Sequence, residues 1–198
     1  MQERSLETRD NILTAAVEQF AQSGYEATSV AQVCQAAGVS KGAFYHHFPS
    51  KQALFINLLD RWLDLLDEQF ALARFQTSSV PEALTLMTEL TGEVYRAAGG
   101  NLPMFLEFWN QAQHNPEIWQ SVINPYRRYQ RYFAGMIEEG IAEGSLKEVD
   151  PQMTAQVMVA LAVGLLLQGT LDPTGADWQK VTQFGFRMIL NDLLKLEV

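Results

Sequence analysis

The chain has 198 residues, of which 47% are hydrophobic, and it carries a formal net charge of −9. This length allows one or two domains with a real core, and the acidic balance argues against a broadly basic nucleic-acid binder. The single cysteine, Cys34, excludes an internal disulfide and fits a reducing cytoplasm. The first ten residues are polar and charged, and no apolar run reaches about 18 residues. We therefore expect a cytoplasmic protein with neither a signal peptide nor a membrane partner.

The negative charge is unevenly distributed along the chain. The first 51 residues contain four basic and five acidic side chains, so almost all of the negative charge lies in the remainder. Exposed charges separated by more than the Debye length of about 8 Å are largely screened from each other. An acidic body therefore does not forbid a small DNA-binding head in the first quarter of the chain.

Hydrophobic residues recur with helical periodicity along the whole chain, and no segment shows the alternation typical of a strand. We predict that the first helix ends before Gly24, that Thr28 or Ser29 caps the second, and that Ser50 caps the fourth. The expected helices cover about residues 6–22, 30–37, 41–47, 51–74, 80–98, 102–113, 116–143, 151–168 and 177–195. The predicted fold is all-α, with three small helices followed by a larger bundle.

Local signals mark the ends of the later helices. Ser79 and Glu82 have the spacing of a capping box at the start of the fifth helix. Asp150-Pro151 combines a capping carboxylate with a proline at the first helical position. Pro125 lies inside the seventh helix, where a proline can break it.

Five rings follow one another from Phe44 to Phe48 in the third helix. Phe44, His47 and Phe48 share one face by i,i+3 and i,i+4 spacing, and we expect that face to dock onto the first two helices. Tyr45 and His46 then project outward. A short helix, a three-residue turn and a second short helix have the dimensions of a helix-turn-helix, whose second helix enters the major groove of DNA.

The outward residues of this motif suit contact with a duplex. Ammonium groups neutralise phosphates, hydroxyl groups donate to phosphate oxygens, and small residues allow close approach to base edges. The candidates are two lysines, Lys41 and Lys51, three hydroxyl residues, Ser29, Ser40 and Tyr45, two small residues, Gly42 and Ala43, and the imidazole of His46. The alternative is that these are ordinary surface residues of a small helical pair.

The segment GYEATSVAQVCQAAGVSKGAFYHHFPSKQALF, residues 24–55, resembles the signature of the TetR/AcrR family of bacterial transcriptional regulators. The resemblance implies a DNA-binding domain over residues 6–52, with the helix-turn-helix at about 29–48. It also implies a ligand-binding and dimerisation helical domain over residues 53–198. A homodimeric repressor, released from a palindromic DNA operator by a small molecule, is the function that it implies.

The same resemblance bears on single residues of the motif. Seven of the eight candidates named above match positions that commonly touch DNA in the family, and the eighth, Ala43, matches a variable position that often sets base preference. His46 stands where many members have tyrosine or arginine, and His47 matches a largely structural histidine. Cys34, inside the second helix, is expected to be a buried packing thiol.

Enzymatic and metal-binding interpretations lack support in the sequence. Residues 38–42 spell G-x-S-x-G, but the nucleophile elbow of hydrolases needs a strand before the serine, and the preceding segment is helical. The histidines and Cys34 lack the spacing of metal ligands. We therefore expect no catalytic residue, no metal and no cofactor.

The C-terminal half is rich in aromatic residues, which favours an apolar pocket with a few polar groups. The candidate ligand-binding residues are Trp62, Phe105, Trp109, Gln113, Tyr129 and Gln168. Aromatic residues at helical spacing are also common in ordinary cores, so core packing is the competing interpretation. Overall acidity leaves open a rival function, a helical ligand-binding or protein-interaction bundle that does not bind DNA.

Residues 153–167 are apolar on nearly every side, which indicates a helix buried against its own bundle and against a second subunit. In the family that the chain resembles, the last two helices of each protomer form a four-helix dimer interface. The candidate interface residues are Met153, Val157, Ala160, Leu161, Gly164, Phe184, Met188 and Ile189. Burial inside a single subunit is the alternative.

Overall fold

The computed structural model describes residues 2–97 and 102–195, and side chains over residues 5–90 and 106–195. The helices are α1 Gln2–Ser23, α2 Val30–Ala37, α3 Lys41–His47, α4 Lys51–Gln76, α5 Val80–Ala97, α6 Leu102–Ala112, α7 Pro116–Ala142, α8 Pro151–Leu171 and α9 Trp178–Leu193. The part of the chain that the structure describes is all-α, as predicted, apart from one isolated antiparallel bridge between Leu146 and Leu194. α7 continues through Pro125 without the break that the sequence allowed.

The short helices of the N-terminal region begin and end at strong caps. Ser29, rather than Thr28, caps α2 in a capping box, in which the Gln32 backbone N–H donates to Ser29 Oγ at 3.3 Å. The buried Thr28 hydroxyl instead donates to the carbonyl of Gly24 at 2.8 Å. Gly38 ends α2 with a φ of +66°, a left-handed conformation that favours glycine. These local signals explain why the predicted range of α2 is confirmed at both ends.

The chain divides into two compact units. The first comprises Met1–Asp64 and Gly100–Val122, and the second comprises Leu65–Gly99 and Ile123–Val198. α6 therefore groups with α1, against which it packs. The sequence analysis had placed every residue after 52 in one C-terminal domain. The boundary after residue 52 stays a prediction about the functional domains. The packing of the chain instead divides it into the two units given above.

An aromatic cluster forms part of the core of the first unit. The ring of Phe55 lies edge-on to Phe20 with centroids 5.6 Å apart, and it stacks on Phe108 at 4.0 Å. Tyr25 completes the cluster, 4.5 Å from the Phe55 ring. Aromatic pairs at these separations stabilise a core beyond the area that they bury. The Phe55–Phe108 stack also explains why α6 belongs to the first unit.

In the second unit, α9 packs against both α5 and α8. Its inner face consists of the buried residues Thr182, Phe186, Leu190 and Leu193. A Cβ added at Gly185 would lie 3.2 Å from Leu161, so the absence of a side chain there permits the close contact of α9 with α8. The Leu161 side chain therefore packs at least partly against α9 of its own subunit, although the sequence analysis assigned it to the dimer interface.

One helix among the described residues, α8, is long and apolar enough to cross a bilayer by length and composition alone. An 18-residue window within it has a mean hydropathy of 1.6 and is 33% buried. The sequence analysis had found no contiguous apolar run of this length. The two results differ because the glutamine and threonine side chains of α8 interrupt an apolar run but carry no charge.

Candidate nucleic-acid interface

The rings of α3 divide between an inner and an outer face. Phe44 and Phe48 are fully buried, at 0% and 1% exposure, and Tyr45 is 54% exposed. His46 is exposed and His47 is half-buried. The predicted wheel is therefore confirmed, with the phenylalanines inside and Tyr45 and His46 outside.

The inner face of α3 packs against neighbouring helices and contacts the Arg9 guanidinium. α3 packs against both α1 and α2. The Phe44 and Phe48 rings lie 5.9 Å apart, and the guanidinium of Arg9 lies 5.4 Å from the centre of the Phe48 ring. Burial, followed by the neighbouring charges of His46 and Arg9, lowers the pKa of His47 and favours its neutral form. The inner face is thus apolar and uncharged at neutral pH.

The outer face of α3 carries little positive charge. Lys41 is exposed there, and it is the only lysine or arginine between residues 29 and 48. Gly42 is also exposed, and a Cβ added to it would find Ser40 Oγ at 3.7 Å as its nearest neighbour, an ordinary contact. Tyr45 and His46 add hydrogen-bonding groups, while Ala43 is half-buried. This face offers one charge, two polar rings and a position without a side chain.

Both candidate serines serve as helix caps. Ser40 Oγ accepts from the backbone N–H of Ala43 at 3.1 Å, which uses a lone pair and leaves the hydroxyl hydrogen for another acceptor. Ser29 Oγ donates to the Gln32 side chain at 2.7 Å, so its hydroxyl hydrogen is already used. Both residues stay predicted DNA contacts, and the geometry favours Ser40 as a donor to phosphate.

Lys51 has an intramolecular role that the sequence analysis did not foresee. Its Nζ donates to the carbonyl oxygens of Tyr25 at 2.8 Å and Thr28 at 3.0 Å. The same ammonium lies 4.2 Å from the centre of the Tyr25 ring. Contact of Lys51 with phosphate stays a prediction, and the structure provides a second explanation for a lysine at this position.

The candidate ligand-binding residues fall in both units. In the first unit, Trp62 is half-buried, and Trp109 and Gln113 are exposed. In the second unit, Tyr129 is half-buried and donates from its hydroxyl to Asp67 Oδ1 at 2.8 Å. Burial, and then this bond, raise the pKa of Tyr129, so its hydroxyl stays protonated. Phe105 lies outside the residues whose side chains the structure describes, and Gln168 is exposed.

An open depression of about 370 Å³ lies at the turn between α6 and α7. Among the predicted residues it includes Gln113, and its other lining residues are Ala112, His114, Asn115, Pro116 and Trp119. Trp119 is one of the aromatic residues of the C-terminal half, the composition of which favours an apolar pocket. The role of this depression as a ligand site is untested.

Four of the candidate dimer residues are exposed apolar side chains on α8 and α9, two helices that pack against each other. Met153 and Val157 on α8, and Phe184 and Met188 on α9, each expose more than half of their area. A Cβ added at Gly164 would have no neighbouring atom within 4 Å, and Ala160 is exposed. Leu161 and Ile189 are half-buried. We call the surface formed by the exposed residues of this set the α8–α9 surface.

The described residues do not form the geometry required for a hydrolase nucleophile, a metal site or a reactive thiol. α2, a helix, precedes Ser40, whereas a nucleophile elbow requires a strand at that point. Among all the residues that the structure describes, histidine, cysteine, aspartate and glutamate do not form a group of three or more that could hold a metal ion. Cys34 is buried, and its burial raises the pKa of the thiol, which disfavours the reactive thiolate.

Solved structures share this arrangement of helices. The structure of a transcriptional regulator from Saccharomonospora viridis in complex with choline superposes with a TM-score of 0.80 at 20% identity, covering 96% of this chain and 99% of that one. The regulator FadR from Bacillus subtilis in complex with stearoyl-CoA gives a TM-score of 0.77 at 21% identity, covering 92% and 98%. At these identities the likeness establishes the fold.

Sequence comparison establishes the family. Residues 12–58 match the family described as "Bacterial regulatory proteins, tetR family", and residues 100–190 match the "BetI-type transcriptional repressor, C-terminal". The uncharacterized HTH-type transcriptional regulator YhgD of Bacillus subtilis is 30% identical over 189 residues, covering 89% of this chain and 86% of YhgD. The chain therefore belongs to the TetR family of bacterial regulatory proteins and is a DNA-binding transcriptional regulator with a helix-turn-helix.

Proposed function

We propose that the protein is a homodimeric repressor that binds a palindromic operator and leaves it when a small molecule binds. The observation that carries the proposal is the division of α3, which buries Phe44 and Phe48 and exposes Tyr45, His46 and Lys41. A helix in the major groove reads bases through such exposed groups at its N-terminal end. The match to a repressor-type C-terminal domain supports the negative sign of regulation.

The dimer is supported by the α8–α9 surface. Soluble monomers rarely expose a contiguous apolar patch of this kind, and covering it with a second copy removes it from water. A two-fold axis brings the same surface of each subunit together. Two identical heads then recognise two half-sites that repeat with inverted sequence, about 34–36 Å apart for successive major grooves.

The effector is proposed to be a small molecule that differs in affinity between two states of the protein. A ligand shifts such an equilibrium only by its differential affinity for them. The neighbouring structures contain choline in one case and stearoyl-CoA in the other, so a small cation and an acyl thioester are reasonable probes. The proposed ligand-binding residues are those of the sequence analysis.

Selection from a random-sequence DNA pool tests operator binding and identifies the preferred duplex in the same experiment. We expect the wild-type protein to enrich inverted repeats, and the triple change Lys41→Ala, Tyr45→Ala and His46→Ala to abolish the enrichment. All three side chains are exposed, so the variant is expected to fold. Enrichment of no sequence by the wild type would instead favour the rival interpretation, a helical bundle that does not bind DNA.

Release by the effector is tested on the selected duplex. Fluorescence anisotropy of the labelled duplex is followed while choline or stearoyl-CoA is added, with coenzyme A and betaine as matched controls. Repression with release predicts that one probe lowers duplex affinity and raises the melting temperature of the free protein. Operator DNA lies in the cytoplasm, so that is the proposed place of action, and the proposal includes no catalytic step.

A further inference from the structure

The first turn of α4 contacts two separate parts of the first unit through adjacent residues. Lys51 donates to the carbonyls of the loop between α1 and α2, as described above. Gln52, the next residue, faces the turn between α6 and α7. Because the two residues are neighbours on one helix, a displacement of either contact moves the other.

Gln52 is held by hydrogen bonds on both sides of its amide group. Its Nε2 donates to Glu117 Oε2 at 2.5 Å, and its Oε1 accepts from Asn115 Nδ2 at 2.9 Å. A donor on one side and an acceptor on the other define the orientation of the amide. The bonds span 65 and 63 residues of sequence, so they join distant segments of the chain.

Asn115 is itself fixed at the start of α7. Its Oδ1 accepts from the backbone N–H groups of Glu117 at 3.0 Å and Ile118 at 3.3 Å, which caps the helix. The Asn115 side chain thus caps α7 with its oxygen and bonds Gln52 with its nitrogen. We call the set Gln52, Asn115 and Glu117 the α4–α7 bridge.

The other contact made by the first turn of α4, that of Lys51, lies next to the start of the helix-turn-helix. Thr28, one of the carbonyl acceptors of Lys51, immediately precedes Ser29, the cap of α2. The Thr28 hydroxyl is also bonded to the carbonyls of Gly24 and Gln19. The loop that begins α2 is therefore anchored on α1 by Thr28 and on α4 by Lys51.

We propose that Gln52 is a positioning residue for operator binding, which links the α6–α7 turn to the start of α2 through the first turn of α4. This inference rests on the proposed binding of an operator. The bridge holds α4 at the position in which Lys51 meets its carbonyl acceptors, and α2 and α3 are then presented in one orientation. Loss of the bridge lowers operator affinity without removal of a phosphate contact.

The amide allows a charge-neutral exchange of donor and acceptor as a test. Gln52→Glu places a carboxylate against Glu117 and removes the donor, whereas Gln52→Glu combined with Glu117→Gln restores one bond of reversed polarity. Asn115 Nδ2 can donate to residue 52 in both variants. Gln52→Met removes both bonds and keeps the length of the side chain. Gln120→Met, at an exposed position of α7 in the same unit, is the matched control.

The measurements are affinity for the duplex selected by the wild-type protein, at several salt concentrations, and hydrogen exchange of the free protein. We expect Gln52→Met and Gln52→Glu to weaken binding about tenfold, as fits the loss of a hydrogen bond to a charged group. The salt slope of Gln52→Met should match that of the wild type, since no phosphate contact is lost. The backbone amides of Gln52→Met over residues 28–33 should show faster hydrogen exchange. The double variant, Gln52→Glu with Glu117→Gln, and the control Gln120→Met should behave like the wild type in both measurements.

Two results would overturn the inference while operator binding itself stands. One is unchanged affinity of Gln52→Met for the selected duplex. The other is a weakened Gln52→Glu variant that Glu117→Gln does not restore. A wild-type protein that selects no duplex would instead refute the proposed function, and the inference would fall with it.

Discussion

At the scale of single residues, the exposed face of α3 contains a glycine, Gly42, where other residues would present a side chain. Gly42 lies within α3, and a Cβ added to it would make only an ordinary contact with Ser40 Oγ at 3.7 Å, so alanine fits the fold there. Glycine within a helix is less favourable than alanine by about 0.5–1 kcal/mol. The structure alone therefore gives no reason for glycine, whereas the predicted close approach of Gly42 to DNA gives one.

Gly42→Ala is predicted to have opposite effects on stability and on binding. We expect the free energy of unfolding to rise by about 0.5–1 kcal/mol in urea titration. We expect affinity for the selected duplex to fall, because the added methyl group meets the groove. Unchanged or tighter DNA binding would show that α3 does not approach the duplex at Gly42.

The two lysines of the head are predicted to differ in the salt dependence of DNA binding. Lys41→Ala should reduce the slope of log affinity against log salt by about 0.9 for each phosphate contact, or about 1.8 for two subunits. The intramolecular role of Lys51 predicts that Lys51→Met weakens binding and lowers the melting temperature with the slope unchanged, because its Nζ is bonded to carbonyl oxygens. A reduced slope in Lys51→Met would instead support the phosphate contact that the sequence analysis predicts.

At the scale of helices, the accuracy of the sequence analysis follows the distance over which each signal acts. The ranges of α2 and α3 are confirmed to the residue, because Ser29, Gly38 and Ser40 act within one turn. The partners of Lys51 and Gln52 were not predictable from pattern, because they lie 23 to 65 residues away. The sequence shows which residues can bond, and only the fold selects the pairs.

The start of α5 illustrates the same limit. The sequence predicted a capping box between Ser79 and Glu82, and the Glu82 backbone N–H does donate to Ser79 Oγ at 3.4 Å. The Glu82 carboxylate, however, accepts from the Ser78 backbone N–H at 3.1 Å. A further cap comes from the turn that follows α7, where Glu143 Oε1 accepts from the Val80 backbone N–H at 3.1 Å. This contact joins segments that are 63 residues apart in sequence.

Glu143→Gln is predicted to lower stability at neutral pH and to reduce its acid sensitivity. The hydroxyl of Ser145, and then the Val80 N–H, lower the pKa of Glu143 in the folded state. A carboxyl group with a depressed pKa stabilises the fold above its unfolded pKa, and this contribution is lost as pH falls through the folded pKa. The variant and the wild type should therefore converge at low pH in urea titrations. A constant difference between them at every pH would contradict the assignment.

At the scale of the whole molecule, α9 is apolar on two opposite faces. One face, with Phe186 and Leu190, is buried in the second unit, and the other exposes Phe184 and Met188 at 60% each. A surface helix normally needs one apolar stripe. The second stripe therefore calls for a partner, which we propose to be a second copy of the chain.

Phe184→Glu is predicted to convert the dimer to a monomer and to weaken operator binding by loss of the second head. The carboxylate would be buried at the interface without a counter-charge. Phe75→Glu is the matched control, because Phe75 is an 88% exposed aromatic residue on α4 that is not among the α8–α9 surface residues. Sedimentation velocity measures the mass of each variant. A dimeric Phe184→Glu, or a monomeric Phe75→Glu, would place the interface elsewhere.

The lone lysine between residues 29 and 48 has a consequence for how the regulator finds its target. Attraction to arbitrary chromosomal sequence grows with the number of phosphates that a protein neutralises. We expect a helix-turn-helix with a single lysine to spend little time on irrelevant DNA. We therefore expect fewer copies in the cell to be sequestered away from the promoter, so that a small pool of regulator is enough to occupy it.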